Sequence, residues 1–192
     1  QDFAQKEAVV AARVQASRSG YDFLAQAADL YSSCEDQTMA ARARAFQAEI
    51  SANAAIDPSL GPRERLTDLA LQHLKQADEL YEAKRAELEL STPNETLAAR
   101  QALSKDTERI VALALRILVM QAPNPEAFWE WLQKSKSRSL TDALAKERGK
   151  VVPIRYSQAQ AVLDRMPGPV ALVDWCVTAG QVYLIVARKG EK

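Results

Sequence analysis

The stretch Glu126–Arg148, EAFWEWLQKSKSRSLTDALAKER, decides how the chain is read, because the sequence changes character across it. Phe128, Leu132, Ser135 and Ser139 recur at helical spacing, with Trp131, Ala143 and Leu144 flanking that stripe. The pattern predicts one helix of more than twenty residues with a buried side. Trp129 and Trp131 cannot both face one core, since residues two apart point about 200° apart on a helix. One of them is expected to cover a neighbouring element or a partner.

Beyond this helix the vocabulary turns from alanine to valine. Residues 1–150 hold 29 Ala and 5 Val, whereas residues 151–192 hold 5 Ala and 8 Val. Small and straight side chains favour helix and β-branched ones favour strand, so this is the main compositional boundary. After Val151-Val152-Pro153-Ile154 comes a short helical turn, SQAQAVLDRM, and then two runs, PVALVDWCV and QVYLIVARKG. Val170–Val173 and Val182–Val186 are near-continuous apolar runs, as expected of strands covered on both faces. Thr178-Ala179-Gly180-Gln181 reads as the turn of an antiparallel hairpin. Asp174 interrupts the first run near its end.

Before the stretch everything reads as helix. A first helix from Phe3 is expected to stop at Ser19-Gly20, a C-cap signal, and a second to start at Tyr21. The second places Tyr21, Leu24, Ala28 and Tyr31 on one side. A third, from Gln37 or Thr38, carries Met39, Ala43, Phe46 and Ile50 as its core stripe and ends before Asp57-Pro58. A long fourth helix, Arg63 to Glu89, carries Ala70, Leu74, Ala77, Tyr81 and Leu88, with Lys84 as the exception. Asn94 is the expected N-cap of a fifth, whose core side is Ala99, Leu103, Ile110, Ala114 and Ile117. A four-residue connection makes helices four and five an antiparallel pair. Ala122-Pro123-Asn124-Pro125 ends the fifth and launches the sixth.

It is this serial order that resembles a known family. The helix carrying K-S-K-S-R-S-L-T-D-A-L (Lys134 to Leu144) is similar to the one that opens a CHAT domain, the caspase-like domain associated with tetratricopeptide repeats. A small helix ending in a hydrophobic-Pro turn (Ala159 to Pro167), a strand and its hairpin partner follow in the family's order. The close resemblance covers the C-terminal third. Elsewhere it extends only to helical repeats coming first, and the helical pairs match the tetratricopeptide pattern in degenerate form. Separase, also helical repeats followed by a caspase-like domain, stays open as a relative.

The fold class expected is mainly α: tetratricopeptide-like stacked helical hairpins over residues 1–122, a connecting helix over 123–150, and the truncated start of a caspase-like α/β domain over 151–192. The chain begins at Gln1 and ends just past a strand, which reads as a piece of a longer protein. The resemblance implies a cysteine endopeptidase whose catalytic histidine and cysteine lie on later strands, past Lys192. No residue here matches those positions, so no catalytic residue is expected. It also implies an arginine at the seam between helices and protease core. Arg138 takes that place, with Asp142 as an i+4 carboxylate, and Arg138, Trp131 and Asp142 are the candidate interface residues.

Composition narrows the rest. With 25 basic and 25 acidic residues the formal charge is zero, so no field draws nucleic acid or anionic membrane. The apolar run Ile110–Met120 is interrupted by Arg116, which either snorkels or pairs, and is too short to span a bilayer. His73, the single histidine, reads as a locally bonded helix-face residue. Cys34 and Cys176 read as free thiols in a cytoplasmic protein. Neither has the basic or glycine-rich setting of a nucleophile. Asp78, Glu79 and Glu82 are expected on a solvated face. No phosphate loop or local zinc spacing is present, so neither cofactor nor metal is expected. Lys134, Lys136, Arg138 and Lys146 are either a phosphate or acidic-partner site or the wet side of a helix. The partners expected are a protein on the helical repeats and a protein substrate for the parent protease. The alternative is a non-enzymatic helical adaptor.

Overall fold

Alanine has the smallest side chain that still favours helix, so alanine-lined helices approach closely and need no bulky core. The computed structural model describes residues 2–89, 93–143 and 153–190. Its elements are α1 (Asp2–Ser33), α2 (Gln37–Ala54), a 3-10 turn (Pro58–Leu60), α3 (Arg63–Glu89), α4 (Pro93–Met120), α5 (Pro125–Ala143), α6 (Tyr156–Arg165), β1 (Ala171–Thr178) and β2 (Gln181–Arg188). The protein is mainly helical with a small two-stranded antiparallel sheet at its C-terminal end. The chain divides into two units, Gln1–Ile110 and Val111–Lys192, so the division falls within α4.

In the first unit α2 is the central helix, packed against both α1 and α3. Its buried residues form two rows, Ala40-Ala43-Gln47-Ser51-Ala54 and Ala41-Ala48-Ala52. At 100° per residue the rows are centred roughly 120° apart. That geometry corrects the expected stripe. Phe46 is exposed and Met39 and Ile50 are half-buried, because the closest approach on both packed sides requires alanine or serine. Phe46 instead carries the Arg109 guanidinium over its ring, 4.9 Å from the centroid, while Arg109 also binds both carboxylate oxygens of Glu49.

A second correction concerns Gly20. α1 runs unbroken through Ser19-Gly20, and Gly20 is not among the residues with positive φ. A glycine ends a helix when the chain turns left-handed after it, and here it does not. A β-carbon built on Gly20 meets Ile50 Cδ1 at 3.6 Å, ordinary van der Waals contact. Tyr21, Leu24, Ala28 and Tyr31 do line one side, with Ala28 fully buried and the others half-buried. Asp36 caps α2 by accepting from Met39 N at 3.1 Å. α4 starts at Pro93, one residue before the expected cap, because proline suits the first helical position.

α3 buries Ala70, Leu74, Ala77 and Tyr81 as expected, and Lys84 turns out to meet Glu87. Asp78 is a correction: it is 2% exposed rather than solvated, while Glu79 and Glu82 are exposed. It follows Leu74 by four residues and precedes Tyr81 by three, which puts it on the buried stripe. The α3–α4 pair is antiparallel, since Arg100 Nη2 donates to Leu88 O at 3.0 Å and Tyr81 meets Asp106 further along. Asp106 also holds Arg42 Nε at 2.8 Å. Burial pushes the Tyr81 hydroxyl well above the usual tyrosine range. On α4, Leu103 and Ile110 are buried but Ala99 is exposed.

His73 ties α3 to α1. Its Nδ1–H donates to Gln76 Oε1 (3.2 Å), which leaves Nε2 to accept from the Tyr21 hydroxyl (2.5 Å). Gln47 Nε2 donates to Tyr21 O at 3.4 Å, and Arg44 spans Gln47 Oε1 and Asp29. Burial, chiefly, holds the His73 pKa below its ordinary value, and the Arg44 charge adds to the effect.

In the second unit α4 buries Val111, Leu113, Ala114, Leu115, Ile117 and Leu118, while Arg116 is exposed. α5 starts behind Asn124, whose Oδ1 accepts from Ala127 N at 3.0 Å, with Pro125 first in the helix. The expected end of this helix at Arg148 lies outside the described residues. β1 and β2 pair from Ala171↔Arg188 to Thr178↔Gln181. Ala179 (φ 47°) and Gly180 (φ 72°) form a two-residue turn with both φ values positive, the type I′ geometry whose twist suits a hairpin. The expectation that both strand faces are covered is corrected. Cys176, Thr178, Tyr183, Ile185 and Ala187 are buried on one face, and on the other Ala171, Val173, Trp175, Val177, Val182, Leu184, Val186 and Arg188 are exposed.

Two outcomes follow. Gly20→Ala should raise stability by about 0.5–1 kcal/mol, because the helix gains propensity and the methyl fits; an unchanged or lower urea midpoint contradicts this. His73 binds its proton less readily folded than unfolded, so stability should fall as pH drops through the ordinary histidine value of 6.5. Melting temperatures taken between pH 7.5 and 5.5 should show that fall in the wild type and a flatter profile in His73→Gln.

Candidate functional site

Two isolated strands are marginal in water, so this hairpin has to be held by the helix beside it. The holding groups lie on α5. Phe128 packs its ring against Tyr183 of β2, 6.5 Å between centroids. Tyr183 in turn donates its hydroxyl to Gln181 Oε1 at 2.6 Å and reaches Ala112 O of α4 at 3.2 Å. One turn further on, Gln133 Nε2 donates to Asp174 Oδ2 at 2.5 Å, and Lys136 Nζ bridges to Asp174 Oδ1. Trp175 N also donates to Asp174 Oδ1, at 2.9 Å. Gln133 and Lys136 are three apart, hence on one face of the helix. Asp174, an acid in an apolar strand, thus has its oxygens met by donors on that face.

The tryptophans divide as their spacing requires. Trp129 is buried and covers a neighbouring element: its Nε1–H donates to Ile154 O at 2.7 Å and its ring lies 5.9 Å from that of Tyr156. Trp131 is buried on its own side of α5, with the Lys134 ammonium 5.1 Å above its ring. Lys136 likewise lies 5.7 Å from the ring of Trp175. Two of the four basic residues singled out in the sequence therefore lie over aromatic rings.

Of the candidate interface residues, Trp131 is buried and Arg138 is half-buried. The side chain of Asp142 lies outside the described residues, so the Arg138–Asp142 pair does too. At the described seam the carboxylate is that of Asp174 and its cation is Lys136. Sequence reasoning noticed both residues without joining them. The signal was present: a lone acid in an apolar strand implies a donor on the covering element, and the spacing of Gln133 and Lys136 offers two.

This arrangement fastens β1 to α5. Burial pushes the Cys176 thiol up, with Lys136 opposing and Asp174 adding a smaller push, so the sulfur stays protonated near neutrality. His73, bonded at both ring nitrogens, falls in the other unit. Cys34 is exposed, and both cysteines are free thiols. Among the described residues no group of His, Cys, Asp and Glu could hold a metal ion, and no helix is long and apolar enough to cross a membrane.

No family model matches the chain, and no curated protein or solved structure matches it either.

Removing the carboxylate at the seam should matter more than neutralising it. Asp174→Ala strands Gln133 and Lys136 and should destabilise the second unit by about 1–3 kcal/mol, with Asp174→Asn milder because it keeps one acceptor. Tryptophan fluorescence followed through urea unfolding reads this directly, and equal midpoints for the alanine variant and the wild type would contradict it.

Proposed function

We propose that this chain is the protein-binding helical region and opening hairpin of a CHAT-type, caspase-like cysteine endopeptidase acting in the cytoplasm. The observation that supports it best is the order of elements at the C-terminal end: a tryptophan-bearing helix, a short helix, then an antiparallel hairpin fastened to the first helix through Asp174. That is the order in which the sequence resembles the family. In this reading the helices of residues 1–122 act as tetratricopeptide-like repeats that bind a regulatory protein. α5 then relays binding to a histidine–cysteine dyad carried by later strands of the parent, which cleaves a protein substrate. Arg138 and Trp131 are the relay's candidate residues, with Asp142 beside them.

The competing reading is a helical adaptor without enzymatic activity. The parent protein separates the two. Its activated form should cleave a protein substrate and lose that activity on thiol alkylation. Trp131→Ala and Arg138→Ala should then lower partner-triggered cleavage about tenfold while the 192-residue chain still binds the partner. A parent lacking a histidine and cysteine on successive later strands, or one indifferent to both substitutions, supports the adaptor.

A further inference from the structure

β1 and β2 alternate strictly, and their outward face among the described residues is Ala171, Val173, Trp175 and Val177 on one strand and Val182, Leu184, Val186 and Arg188 on the other. Cross-strand partners match apolar to apolar in three successive rows, Val173↔Val186, Trp175↔Leu184 and Val177↔Val182. Their exposures run from 43% at Val186 to 69% at Val182, and Trp175 stands at 56%. A solvated strand face ordinarily carries polar residues, so six large apolar side chains in contiguous rows mark a contact surface.

We propose that this face is a self-association surface, on which the hairpin of a second copy of the chain packs to form a two-layer sandwich. Area and charge carry the choice of occupant. The six side chains offer on the order of 500 Å² of apolar surface, at the upper end of the largest patch on a typical monomer. Two copies pressed together remove about 1,000 Å², the least that a specific interface needs. Among the described residues of the two strands, Arg188 is the one charged side chain in the outward register and lies at the open end of the hairpin, while Lys136, 5.7 Å from the Trp175 ring, is paired with Asp174. When the facing strands of two copies run in opposite directions, the two Arg188 side chains fall about 20 Å apart, at opposite ends of the sandwich. The Arg188 charges are kept apart, each Lys136 beside Trp175 is offset by its own Asp174, and a formal net charge of zero adds no long-range repulsion. Paired sheets of this kind pack about 10 Å apart with their inner side chains interdigitated, and Trp175 and Leu184 form the central row. This inference uses only the bare face and does not depend on the protease reading.

Sedimentation equilibrium of the 192-residue chain tests it. A monomer–dimer equilibrium is expected, with a dissociation constant in the micromolar range. Trp175→Ser should weaken it at least tenfold. Val182→Thr/Leu184→Thr should do the same while keeping strand propensity, so that an unchanged circular dichroism spectrum excludes unfolding as the cause. Phe23→Ser, on an exposed position of α1, should leave the dimer intact. Acrylamide quenching of Trp175 should fall as the chain is concentrated, since Trp129 and Trp131 are already buried. A chain that stays monomeric at about 200 μM overturns the proposal and leaves the face to a helix from another protein. A dimer that survives the hairpin substitutions, or is lost in Phe23→Ser, overturns it equally.

Discussion

An acidic side chain in a strand otherwise without charge has to find donors or leave the fold. Asp174 is that side chain, and the second unit is arranged around satisfying it. A buried or half-buried carboxylate left unmet costs more than most apolar contacts contribute. Its donors come from one face of α5, so the helix is fixed to β1 in one rotational setting. With that rotation set, Phe128 meets Tyr183 and Trp129 meets Ile154 and Tyr156. The aromatic contacts and the carboxylate's bonds are satisfied together in that one setting.

The first unit obeys a different constraint, the closeness of its helices. α2 is covered on two sides at once, and only alanine, serine and one glutamine line those sides. Polar groups buried by such close approach need partners, and Gln47, Tyr21, His73 and Gln76 provide them for each other. On α2 the larger side chains are left to the periphery, where Phe46 serves as a platform for Arg109. The alanine-lined sides of α2 remove less apolar surface per residue than leucine would, and the buried Gln47 among them is bonded at both ends of its amide.

Much of this was legible in the chain. The helix-to-strand change, the hairpin and its turn, the stripes of α3 and the inward side of α1 follow from periodicity and turn chemistry, which are local. The core side of α2 was not legible, because periodicity ranks positions by size and the packed sides here hold the smallest ones. The helix continues through Gly20 because glycine ends a helix only where the chain turns left-handed, and here it does not. Asp78 was misplaced because charge was read without position, although its spacing from Leu74 and Tyr81 located it.

Residue order by itself determined which segments are helix and which are strand, where the hairpin turns, and that Trp129 and Trp131 face apart. Those properties depend on backbone preferences and on spacing within ten or so residues, which any reader of the chain can count. Only the tertiary structure decided that Lys136 and Gln133 hold Asp174, that α2 is buried on two sides, and that one hairpin face stands bare. Each of these joins or separates residues far apart in sequence, and such pairings depend on which surfaces meet, a matter no local pattern encodes.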